Sequence, residues 1–147
     1  MRMKSADATV RTLFIFSIIV LLFTGCDLKN VAIKGYDPVA YFTVGKAVKG
    51  NEGFSYEWHN ATWFFSTSEN SKLFASAPAK YAPQYDGYCA WAMSEARKAS
   101  TDPEVWKIVN GKLYLNCSRM ASDKWSRDIP GNIKKADANW LKLSEKK

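Results

Sequence analysis

Two β-hairpin signatures constrain the fold of this chain more than any other feature. Phe54-Ser55-Tyr56-Glu57-Trp58 alternates apolar with polar residues, His59-Asn60-Ala61 supplies a turn, and Thr62-Trp63-Phe64-Phe65 runs back. Further on, Trp106-Lys107-Ile108-Val109 and Lys112-Leu113-Tyr114-Leu115 flank Asn110-Gly111, the dipeptide best suited to the left-handed positions of a tight hairpin turn. After the first hairpin, Ser66 and Glu69 have capping-box spacing, which predicts a short helix starting within Ser66 to Asn70 and stopped by Pro78. After the second, Met120 with Trp125, and Ile133 with Ala136 and Trp140, recur at helical spacing. They predict two amphipathic helices, over 118–127 and 132–143, separated by Ile129-Pro130-Gly131. Val31-Ala32-Ile33 and Val39 to Thr43 read as extended runs on either side of a turn at Gly35-Tyr36-Asp37-Pro38. The expected class is α+β, a small single domain over residues 31–141 with a basic tail at 142–147. No low-complexity tract and no clear repeat stand out.

The N-terminus carries a different signal. Arg2, Lys4 and Arg11 precede a mostly apolar run from Leu13 to Phe23, too short for a spanning helix and placed as in a secretory signal. Leu22-Phe23-Thr24-Gly25-Cys26 resembles a bacterial lipobox, so residues 1–25 are expected to be removed, Cys26 lipidated, and 26–30 left as a short linker. The expected location is the periplasmic face of a bacterial membrane, with the membrane itself as a partner through the lipid anchor. Removing residues 1–25 takes three basic residues and one acidic residue from totals of 21 and 14, which leaves a net charge of +5. That mild excess, partly in the lysines between Lys134 and Lys147, forms no basic block interleaved with stacking aromatics, and no nucleic-acid partner is expected.

Gly35-Tyr36-Asp37-Pro38-Val39-Ala40-Tyr41-Phe42, then Ala61-Thr62-Trp63-Phe64-Phe65-Ser66, then Phe74-Ala75-Ser76-Ala77-Pro78-Ala79-Lys80-Tyr81 form an ordered set that resembles the YHS domain. With Tyr81 to Tyr85, Gly87-Tyr88-Cys89-Ala90, Leu113 to Asn116 and Lys135 to Trp140, the likeness extends to small exported bacterial proteins built on that domain. The family's link to metals rests on cysteines in Asp-Pro-Val-Cys and Phe-Cys-Ser-x-x-Cys. Here Ala40, Ser66 and Asn70 stand at those places. The resemblance therefore implies the fold and a metal-handling role, but without the usual thiolates.

Soft donors gather instead in Cys89-Ala90-Trp91-Ala92-Met93. As a strand, this segment would turn Cys89, Trp91 and Met93 to one side; as a helix, Cys89 and Met93 would share a face and Trp91 would point elsewhere. A thiolate with a thioether selects Cu(I), and an indole face adds cation–π attraction, so copper is the candidate cofactor. Cys and Met are equally at home as core fillers. With Cys26 acylated, Cys89 and Cys117 are the thiols left to form a disulfide in an oxidising compartment, where closing a loop of about 29 residues would contribute about 3.5 kcal/mol. No cysteine lies within three residues of Cys89, as a redox motif would have. Asp37, before Pro38, can fix its turn by accepting backbone N–H bonds. His59, the single histidine, sits at a hairpin turn. Tyr81, Tyr85, Tyr88 and Trp91 crowd around Gly87, where they either pack the core or line a pocket. No nucleophile elbow, phosphate loop or zinc-protease helix occurs, and the expectation is a binding protein rather than an enzyme. It would handle a soft metal ion such as Cu(I), or serve as an interaction or structural module docking another protein of the cell envelope.

Overall fold

A computed structural model describes residues 30–145, so the expected leader and Cys26 lie outside the described residues. The fold is α+β. In chain order it comprises α1 (Ala40–Thr43), β1 (Asn51–Trp58), β2 (Ala61–Phe65), α2 (Ser68–Ser76), α3 (Pro78–Tyr81), α4 (Ala90–Ser94), β3 (Asp102–Val109), β4 (Lys112–Asn116), α5 (Arg119–Ser126) and α6 (Ile129–Ser144). The two antiparallel hairpins form separate two-stranded sheets.

These elements are one unit built twice. In the first hairpin Asn51 pairs with Phe65, the register then slips, and Ser55 to Trp58 pair with Phe64 to Ala61. In the second, Asp102 pairs with Asn116, the same slip follows, and Trp106 to Val109 pair with Leu115 to Lys112. Each position recurs 51 residues later, as Asn51 and Asp102 mark. The side chains of these two residues close the same Asx turn, onto Gly53 N (2.7 Å) and Glu104 N (3.0 Å). Each hairpin is followed by a capped helix: Thr67 Oγ1 accepts from Asn70 N, and Ser118 Oγ from Ala121 N. Phe74 and Trp125, both fully buried, then pack on Trp63 (5.1 Å) and Tyr114 (5.2 Å) at interplanar angles of 32° and 38°. Ahead of each hairpin lies a single turn with left-handed backbone, Ala32–Gly35 and Gln84–Gly87, leading into α1 and α4.

The halves interlock. Leu113 and Leu115 of β4 belong to the first core, with Phe65, Phe74 and Tyr41, whereas Tyr114 between them belongs to the second, with Trp125, Met93 and Ala136. The two-residue period of a strand makes β4 a wall common to both. Tyr41 adds a cross-tie, its hydroxyl donating to Pro103 O (2.9 Å) and its ring meeting Trp106 edge-on at 5.1 Å.

Several expectations need correction. The duplication escaped the sequence because equivalent positions carry different side chains of similar bulk or geometry, such as Phe74 and Trp125. Val31 makes one parallel bridge to Thr62, and the residues after it form the left-handed turn rather than a strand. The run from Val39 becomes α1, because Asp37 caps its N–H groups. The capping residue of α2 is Thr67, not Ser66, whose hydroxyl is directed to Asp37. Glu69 lies in the first turn, where its own N–H and the Ser68 hydroxyl hold its carboxyl below the usual range. Pro78 stops α2 yet opens α3. Ile129-Pro130-Gly131 is the first turn of α6 rather than a separator, capped by Asp128 Oδ1 on Gly131 N (3.0 Å). That helix continues to Ser144, past the expected boundary at 141.

Candidate functional site

The fully buried Asp37 side chain anchors the first half. Its Oδ1 accepts from Val39 N (2.8 Å) and Ala40 N (3.2 Å), and its Oδ2 from Ser66 N (2.8 Å), Ser66 Oγ (2.6 Å) and Asn70 Nδ2 (2.7 Å). Pro38, also fully buried, sets the chain direction between carboxylate and helix. Positions 40, 66 and 70 thus meet at one carboxylate. They do not suit a soft metal: Ala40 has no donor atom, and the side chains of Ser66 and Asn70 are engaged with Asp37.

The second half builds the equivalent place from two residues. Trp91 N donates to Asn116 Oδ1 (3.0 Å), while Ala92 N (3.5 Å) and Cys117 N (3.2 Å) donate to Cys89 Sγ. These three donors correspond to Val39, Ala40 and Ser66, so Cys89 and Asn116 together do what Asp37 does alone. The Cys89 thiol approaches Asn116 Oδ1 at 3.6 Å. Burial pushes this thiol above its ordinary value; the Ala92 N–H pulls the other way, and contact with the Cys117 thiol raises it again. Of the alternatives for 89–93 the helix is realised, yet Met93 packs with Tyr85, Tyr114 and Trp125 while Cys89 packs with Ala92 and Ala121. Trp91, half-buried, touches both clusters. Cys89 is brought to Cys117, which is exposed; both are free thiols. Among the described residues no group of three or more His, Cys, Asp or Glu side chains is gathered to hold a metal ion, and no helix is long and apolar enough to cross a membrane.

Between the halves lies a cleft of about 340 Å³, walled by Val31 to Lys34, His59, Ala61, Trp63, Asp86 to Tyr88, Ser100 and Thr101. Its wall has an unusual backbone. Ile33 (φ 39°), Lys34 (φ 56°), His59 (φ 52°) and Asp86 (φ 51°) are left-handed, next to Asn60 (φ 58°) and Tyr85 (φ 60°). For the β-branched Ile33 this conformation is strained, of order 1 kcal/mol or more. The two repeated turns meet here: Gly87 has φ 80°, and a Cβ on it would lie 2.9 Å from the Ile33 side chain. Thr62 N bonds to Asn30 O (2.9 Å) and Thr101 Oγ1 to Gly87 O (2.9 Å), which fixes both turns. The His59 ring stacks on Trp58 (3.7 Å between centroids), and its Nδ1 lies 3.8 Å from Asp86 Oδ1.

A second cleft of about 330 Å³ shares Trp63 and Asp86 with the first and adds Trp58, Pro83, Tyr85, Lys112 and Trp140. The result is two neighbouring lobes, a polar one with Lys34, His59, Asp86 and Ser100 and an aromatic one, with Trp63 and Asp86 in the walls of both. Tyr85 is fixed there by its hydroxyl, which donates to Asp137 Oδ1 (2.9 Å). Of the aromatic segment read around Gly87, Tyr88 and Tyr85 do line the lobes, whereas Tyr81 joins the first core. Lys34, His59 and Asp86, scattered turn residues in the sequence, line one cleft; the shared signal is a residue of opposite charge beside glycine in Lys34-Gly35-Tyr36 and Asp86-Gly87-Tyr88. No family model, no curated protein and no solved structure matches the chain.

Proposed function

We propose that the chain is an exported, lipid-anchored binding protein of the YHS type, whose ligand is a small molecule held in the two-lobed cleft between the repeats. One observation carries this reading: the left-handed non-glycine residues Ile33, Lys34 and Asp86 of the two repeated turns converge, beside the hairpin turn at His59, on the wall of one cleft. Strain of this kind persists where the surroundings impose it, and it collects at functional sites. Two lobes, each near the lower end of ligand-pocket volumes, one aromatic and one with a few directed polar groups, suit a compact ligand having a flat apolar part and a polar end. The meeting of positions 40, 66 and 70 at Asp37 supports the YHS resemblance and argues for a role without the family's metal.

Native mass spectrometry of the chain purified under mild conditions tests the reading. A non-protein mass retained by wild type and lost in Ser100→Trp, which would fill the cleft from an exposed position, is the expected result. Equal retention in both would place the ligand elsewhere. Fatty-acid labelling of wild type but not of Cys26→Ser is the expectation for the anchor.

A further inference from the structure

We propose that Cys89 and Cys117 are a redox pair that closes to a disulfide by thiol–disulfide exchange and thereby locks the wall of the cleft. The geometry comes from the duplication. In the first half the equivalent side chains, Asp37 and Ser66, touch directly, with Oδ2 and Oγ 2.6 Å apart. In the second, Cys89 Sγ lies 3.2 Å from Cys117 N, so the Cys117 Cα is within one further bond length of that contact. A sulfur this close to the partner's backbone brings the two residues into the neighbourhood in which a disulfide can close. No cysteine neighbours Cys89 in sequence; the hairpin delivers its partner.

Exposure divides the roles. Cys117 is exposed and meets the oxidant, a small or protein disulfide, whereas Cys89 is fully buried. The Cys117 thiolate attacks one sulfur of that disulfide, forming a mixed disulfide and releasing one thiolate. Cys89, having lost its proton to solvent, then attacks Cys117 Sγ and expels the second thiolate. Two electrons pass from the cysteine pair to the reduced disulfide, and both protons go to the released thiols. On reduction, the Cys89 thiolate leaves into the same N–H groups, Ala92 and Cys117, that mirror the donors to a carboxylate in the first half. Because Cys89 follows Asp86, Gly87 and Tyr88 directly, the bond would tie that stretch of cleft wall to the end of β4.

The test equilibrates the full chain across mixtures of reduced and oxidised glutathione, traps free thiols by alkylation, and maps the peptides by mass. Expected is a peptide pair joined through Cys89 and Cys117, lighter by two hydrogens, that appears as one two-electron step. Its formation should raise the melting temperature by about 10 °C. Cys89→Ala should stall as a mixed disulfide of Cys117 with glutathione. Should that variant fail to fold, Cys117→Ser, altered at an exposed position, must keep the reduced protein's melting temperature and lose its dependence on the glutathione ratio. Recovery of Cys89 as a free thiol from fully oxidised wild type, with Cys117 free or glutathionylated, would overturn the proposal. So would an unchanged redox dependence in Cys117→Ser.

Discussion

Asp37 and Cys89 occupy the same place in two copies of one structural unit, and each receives a backbone N–H from the residue three positions on and another from the end of its own hairpin. The first copy uses a carboxylate with five donors; the second divides the task between a thiol and Asn116. The duplication thus kept the geometry and changed its chemistry.

Asp37→Ala should be among the most destabilising single changes in the chain. It strands the N–H groups of Val39, Ala40 and Ser66 and the Asn70 amide in a buried setting, at a cost of about 3–5 kcal/mol. Urea unfolding monitored by tryptophan fluorescence checks this, and a loss below about 1 kcal/mol would contradict the role given to Asp37.

Because β4 walls both cores, the halves should unfold together. Phe74→Ala and Trp125→Ala each remove a fully buried ring at equivalent positions, so each should cost about 3–5 kcal/mol. Both should leave one transition with coincident fluorescence and circular dichroism midpoints. Two separated transitions would mean that the halves are independent.

Alkaline pH should weaken the fold. Burial raises Cys89, Tyr41, Tyr85 and Tyr114 above their ordinary values, with the Asp137 hydrogen bond a further cause at Tyr85. A raised acid favours folding while both states stay protonated, and that stability is lost once the unfolded chain ionises first. Urea midpoints should therefore hold near pH 7 and fall as pH passes about 8.5 for the thiol and about 10 for the phenols. A midpoint that rises over this range would contradict the burial of these groups.

Cysteines placed at 40, 66 and 70 should converge beside Asp37. The triple variant Ala40→Cys, Ser66→Cys, Asn70→Cys is expected to gain Zn²⁺ or Cd²⁺ affinity of at least about 100-fold over wild type, read by thiolate-to-metal absorption with Cd²⁺. Unchanged affinity in a folded variant would count against the YHS resemblance. For Cu(I), separate packing of Cys89 and Met93 predicts that Met93→Leu leaves competition titrations unaltered.

Local signals in the sequence were strong where a turn is determined by its own residues. Asn110-Gly111 and the alternation from Phe54 to Trp58 placed both hairpins, and the Asp37 turn was legible because a short acidic side chain before proline caps its own neighbours. Other features depended on distant partners. Ser66 has the right spacing to cap α2, but the Asp37 carboxylate, 29 residues away, takes its hydroxyl. No periodicity announces the left-handed backbone at Ile33, which is held by packing against Gly87. The cleft is assembled from three such turns, so its polar residues looked unrelated along the chain.

Amide chemical-shift mapping by NMR tests the central claim most directly. The labelled chain is titrated with fractions of a small-molecule extract from bacterial envelopes, and the ligand-dependent shifts are assigned. The account predicts that Lys34, His59, Asp86, Tyr88 and Ser100 move together with a single saturating affinity, and that Ser100→Trp abolishes the response. Saturable shifts confined to residues outside the two lobes, or an unchanged response in Ser100→Trp, would contradict it.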